Sequence, residues 1–167
     1  MKINTVRLRV MIGLLGMLLP WIVALLAGGF PASISATYFI PQCITPFMII
    51  LGAASLLLIS YRGYNKIDDV VLTLAGIAGL FICLCPCSST TLPFVGTFML
   101  PVGLSGMVHD ISAIIFFALL SFNSMFLFTK SDGYKTTKKK IRNAIYIICG
   151  IGMLGSFGIL LLPSFYI

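Results

Sequence analysis

Charge is scarce in this sequence, and acid is scarcer still. Only 9% of residues are charged, with four acidic residues and a single histidine set against eleven lysines and arginines. So little charged material cannot cover the surface of a water-soluble domain of this length. A lone histidine excludes a multi-histidine metal centre, and no H-E-x-x-H, G-x-S-x-G or phosphate-loop pattern occurs. The paired C-x-x-C spacing of structural zinc sites is missing as well. There is no repeat with a period of 20–50 residues and no low-complexity tract beyond Lys138–Lys140.

What is abundant is apolar: 59% of residues, with a mean hydropathy of +1.11. A hydrocarbon core about 30 Å thick takes about 20 residues per helix. The apolar runs thread as five spans at 8–28, 39–60, 69–86, 106–129 and 143–164, which leave no room for a separate soluble domain. The expected fold is therefore all-α, a polytopic transmembrane helical bundle occupying 1–167 as one domain. With that threading every basic residue falls on one side. Lys2, Arg7 and Arg9 open the first span, Arg62 and Lys66 lie in the second-to-third loop, and Lys130, Lys135, Lys138, Lys139, Lys140 and Arg142 lie in the fourth-to-fifth loop. Basic residues near span ends stay cytoplasmic, so the topology reads N-in, C-out. The net charge of +7 then reports topology and headgroup contact, with Lys138, Lys139, Lys140 and Arg142 at anionic headgroups, and not nucleic-acid binding. The first run also resembles a signal peptide, with Ala32, Ser33, Ser35 and Ala36 following it. Its length and the Pro20-Trp21 interruption favour a retained helix, and cleavage would leave four spans.

Small residues mark helix faces. Span one carries Gly13 and Gly16, span two Gly52-Ala53-Ala54-Ser55, span three Ala75, Gly76 and Gly79, and span five Gly152, Gly155, Ser156 and Gly158. In lipid, hydrophobicity gives helices no preference for one another, and close backbone approach at small residues holds them together. Asp68-Asp69 suits the positive N-terminal end of span three, and Thr136-Thr137 suits the cap of span five. The stretch 92–106 (LPFVGTFMLPVGLSG) is apolar and too short to span, so it reads as an outer interfacial loop or a re-entrant segment.

Unusual chemistry gathers on the other side. His109 and Asp110 sit near the outer end of span four, and Asp110 is the only acidic residue outside the cytoplasmic loops of this threading. At about 100° per residue, Asp110 shares a helix side with Ser121 and Ser124, and His109 lies nearer Ser112. Ionisable groups within spans are costly and face a bundle interior or a wet cavity, which makes these residues the candidate polar site. The competing reading is an interfacial helix start with Asp110 as a first-turn acid. Cys43 opens span two, and Cys83, Cys85 and Cys87 end span three. Cys43 and Cys87 each lie 22 residues from Asn65, so an antiparallel hairpin sets them at similar depth. In an oxidising compartment they are candidates for a disulfide or thiol cluster of undetermined pairing, with buried inert thiols as the alternative. Cys149 reads as packing. No metal and no cofactor is expected. The cluster is expected to be connected, with Asp110 held by His109 or by serines of its own helix and at least one of Cys43, Cys85 and Cys87 close by.

The stretches SISATYF (33–39), YRGYNKIDD (61–69), LAGIAGLFICLCP after it, and HDISAIIFFALLSFNSMFLFTK (109–130) together resemble a family of small bacterial multi-span membrane proteins akin to the Frag1-like group. The resemblance implies a bacterial inner-membrane location and supplies no reaction. Members of that kind often have a sixth span, which implies either a divergent member or a bundle completed by a partner. Two functions are weighed. One is a non-enzymatic bundle, either a membrane subunit or a small pore-like or lipid-contacting component, with the bilayer and a homo-oligomer or membrane partner subunit as partners and no nucleic acid. The other is a membrane enzyme or redox protein using His109, Asp110 and the outer cysteines.

Overall fold

A computed structural model describes residues 5–31, 33–63, 65–88, 92–130 and 136–160. Each long apolar run folds as a helix: α1 Thr5–Leu26, α2 Pro41–Ser60, α3 Lys66–Leu84, α4 Val102–Phe122 and α5 Thr137–Leu160. A 3₁₀ turn, Ser35–Phe39, precedes α2, and a π-helical segment, Asn123–Leu127, continues α4. α1, α2, α3 and the α4–π run are long and apolar enough to cross a membrane. The fifth expected span, 143–164, runs past the described residues.

The outward faces fit lipid as the solvent. Leu25 is 81% exposed, Trp21 63% and Ile148 68%. Large apolar side chains presented this way over whole helices would be an aggregation surface in water and are ordinary against acyl chains. The buried core runs between α1, α2, α3 and α4 through Val23, Phe47, Leu58, Leu72, Ala75 and Phe116.

Small residues set the closest helix approach. A Cβ on Gly76 would stand 2.5 Å from the Ser55 carbonyl oxygen and 2.6 Å from Ile59 Cγ1, and one on Gly79 would run into Ser55 Oγ and the Phe116 ring. Ser55 stays satisfied there because its hydroxyl donates to the Leu51 carbonyl at 2.7 Å. The same logic does not extend to every glycine of the expected packing faces. Among the described residues, Gly13, Gly16, Gly52, Gly152, Gly155 and Gly158 have nothing within 4 Å of a built Cβ.

Helix ends differ from the hydropathy-derived bounds because hydrogen bonding continues into the polar boundary. α3 starts a turn early, with Asn65 as N-cap and no side-chain cap bond. Asp68 and Asp69 lie in its first turn. Asp69 folds back, accepting from the Gly63 N–H at 2.6 Å and pairing with Arg62 at 3.6 Å. Thr136 does cap α5, its hydroxyl accepting from the Lys139 N–H at 3.4 Å.

Within 92–106 the chain forms a small antiparallel β-hairpin, β1 Phe94–Val95 with β2 Leu100–Pro101, and then enters α4. Among the described residues the bundle is thus helical apart from this hairpin. Gly96 at its turn has φ +78°, and an added Cβ would meet the Leu84 carbonyl oxygen and Pro86 Cδ at 2.7 Å each. That fit seats the hairpin on the end of α3, where the Thr97 N–H donates to the Leu84 carbonyl at 3.3 Å. An otherwise orphaned helix-end carbonyl is satisfied.

Candidate functional site

At the hairpin end of the bundle, α4 turns a polar face inward. Ser105, His109, Ser112 and Phe116 recur at helical spacing and are all buried. His109 is only 4% exposed. Its Nδ1 lies 2.9 Å from the Cys85 carbonyl oxygen and its Nε2 2.9 Å from Ser35 Oγ. A carbonyl only accepts, so Nδ1 carries the hydrogen and the neutral ring's Nε2 accepts from the Ser35 hydroxyl. One turn earlier, the Ser105 hydroxyl donates to the Pro86 carbonyl at 2.8 Å. Two successive carbonyls freed where α3 ends are therefore captured by α4, and the 3₁₀ turn is tied to the same point.

Asp110, one residue on, is rotated out of this face and exposed. Its carboxylate acts on Cys87, whose thiol is pushed up chiefly by burial and then by the Asp110 charge, with a backbone hydrogen bond working the other way. His109 and Asp110 thus serve different neighbours. Ser121 and Ser124 belong to the far end of α4, where Ser124 donates to the Tyr146 carbonyl on α5 at 2.7 Å and Ser121 is fully buried. Ser112 remains beside His109 on the buried stripe.

The cysteines are free thiols. Cys43 Sγ donates to the Val23 carbonyl at 3.5 Å, fastening α2 to α1. Cys83 Sγ lies 4.0 Å from the Met48 carbonyl oxygen. Cys85 is buried and offers His109 its carbonyl. Cys87 is half-buried, and Cys149 is exposed on α5. Among the described residues no three His, Cys, Asp or Glu side chains converge as a metal site.

The opposite end gathers the basic residues. The Arg9 Nε donates to the Tyr61 hydroxyl at 2.5 Å, and its guanidinium lies 5.4 Å from the Tyr61 ring centre and 5.7 Å from that of Phe128. Lys130 pairs with the buried Asp68 at 3.6 Å. Lys139 reaches back to the Phe128 and Lys130 carbonyls at 3.2 and 3.0 Å, capping the end of the α4–π run. Of the expected headgroup residues, Lys138, Lys140 and Arg142 are exposed, whereas Lys139 is half-buried in this cap.

Between these residues lies a cavity of about 220 Å³ that sequence reading missed. Arg9, Tyr61, Asn123 and Phe128 surround its end nearest the basic cluster, and Ile12, Leu72 and Leu120 continue it toward the middle of the bundle. The π segment creates the geometry. Its extra residue per turn brings Asn123 and Ser124, adjacent in sequence, both into the interior. An asparagine inside an apolar span was the available signal. Arg9 lies on α1, Tyr61 just past the end of α2 and Phe128 just past the π segment, and they carry no shared pattern.

No protein-family model, curated protein or solved structure matches the chain.

Proposed function

We propose that this protein is a five-span inner-membrane bundle, N-in and C-out, serving as a non-enzymatic, lipid-contacting membrane component. The observation carrying this reading is the division of labour between its ends. Arg9, Arg62, Lys130, Lys138, Lys140 and Arg142 share one end, as residues held at an anionic cytoplasmic surface do. At the other end the sole histidine spends both ring nitrogens on docking α3 and the 3₁₀ turn. With the ring 4% exposed, both contacts support a docking role for His109.

Placement in the Frag1-like group is part of this proposal, as is a partner subunit or second copy that contacts the open glycine faces of α1 and α5. Paired substitutions at the outer end test the non-enzymatic role. His109→Ala should lower the melting temperature of the purified protein, because it strands a buried carbonyl. Asp110→Asn should leave it unchanged. A His109→Ala protein as stable as the parent would contradict the structural role.

A further inference from the structure

We propose that the cavity at the basic end holds one anionic phospholipid, its phosphate beside Arg9 and one acyl chain running along the apolar wall. This deepens the lipid-contacting reading by naming the lipid class and the place.

Size comes first. About 220 Å³ is below the roughly 300–1,000 Å³ of pockets that enclose a whole small ligand. It suits part of an amphiphile whose remainder lies in the bilayer. Polarity is graded in the matching sense. Arg9, an exposed residue that is always charged, stands at the end where the basic residues collect, its guanidinium against the Tyr61 and Phe128 rings, and the wall beyond it is aliphatic. With exposed Lys138, Lys140 and Arg142 at the same end, the local potential favours an anion over a zwitterion.

Asn123 is the independent sign of an occupant. It lines the cavity, is 4% exposed, and its Oδ1 has no hydrogen-bond partner among the described residues. A buried acceptor left this way is costly. A headgroup carrying hydroxyl donors, as phosphatidylglycerol does, would supply the missing hydrogen once the amide turns toward it, since Oδ1 is closed to solvent as it stands. Gly13 completes the case from the apolar side. It lines the cavity, yet among the described residues a Cβ built on it meets nothing within 4 Å, so the wall there is space and not packing.

The test is lipid retention by the full chain purified in detergent and exchanged into mixed micelles of phosphatidylglycerol and phosphatidylcholine, read by native mass spectrometry. The expected result is one phosphatidylglycerol retained per chain in preference to phosphatidylcholine. Arg9→Gln should weaken retention about fivefold, the equivalent of one interfacial cation. Gly13→Leu should remove retention by filling the cavity, while melting in lipid-free detergent stays at the parent value. Equal retention of the two lipids, or full retention by Gly13→Leu, would overturn the proposal. Competition by soluble glycerol phosphate as effective as by the lipid would also overturn it, since the site would then be a free phosphate site. These readouts do not depend on membrane orientation, so a reversed topology and a failed lipid site are distinguishable.

Discussion

Replacing Gly76 with alanine puts a methyl group where α2 and α3 come closest. The new carbon would sit 2.5 Å from the Ser55 carbonyl oxygen, 2.6 Å from Ile59 Cγ1 and 3.0 Å from the Ile59 nitrogen. Two of those three atoms belong to the backbone, so no side-chain rotation relieves the contact. Overpacking of this kind costs about 1–3 kcal/mol. Alanine returns roughly 0.5–1 kcal/mol through its better helix propensity. The net expected loss is about 1–2 kcal/mol, and leucine at the same position should be worse. The control is Gly152→Ala, where nothing among the described residues lies within 4 Å of the added carbon, so propensity is the expected effect. Reversible unfolding in mixed detergent and dodecyl sulfate micelles compares the two. A Gly76→Ala protein at least as stable as Gly152→Ala would refute the packing argument.

The hairpin and the outer thiol yield further tests. Gly96→Ala combines a positive φ with contacts at 2.7 Å to the Leu84 carbonyl and Pro86, and should cost about 1–3 kcal/mol; unchanged stability would mean the hairpin does not seat on α3. Cys87, with its thiol pushed up by burial and by Asp110, holds less thiolate at a given pH than an ordinary cysteine, so its alkylation profile should be displaced to higher pH. Asp110→Asn removes the carboxylate and should move that profile back toward lower pH, measured with a maleimide at several pH values. A profile unaffected by Asp110→Asn would separate the two residues. His109→Ala should cost about 1–3 kcal/mol by leaving the Cys85 carbonyl without its donor, with faster alkylation of Cys87 as the end of α3 loosens.

Much of the fold was legible because lipid imposes a simple rule: long apolar runs become helices, and basic residues mark their ends. The Ser55, Ala75, Gly76 and Gly79 contact could be read as well, since small residues at helical spacing have a direct packing consequence. The glycines of α1 and α5 look the same in sequence, but no neighbour within the described chain stands against them. Neighbour identity is a tertiary fact that spacing does not carry. The hairpin escaped because LPFVGTFMLP has neither helical nor alternating periodicity, and its turn uses positive φ at both Gly96 and Met99. Adjacency in sequence presents His109 and Asp110 as one unit. A helix rotates successive residues by about 100°, which buried one and exposed the other. The cavity was least legible, since its mouth joins Arg9, Tyr61, Asn123 and Phe128 through a local π turn.

The most direct test of the central claim is sidedness. A cysteine introduced at Lys139 and the native Cys87 are each challenged in intact cells with a membrane-impermeant thiol reagent, after mild reduction and at a pH high enough for Cys87 to react. The proposed topology predicts labelling at Cys87 and protection of the Lys139→Cys position until the membrane is permeabilised. Labelling of the Lys139→Cys position in intact cells, with Cys87 protected, would contradict it.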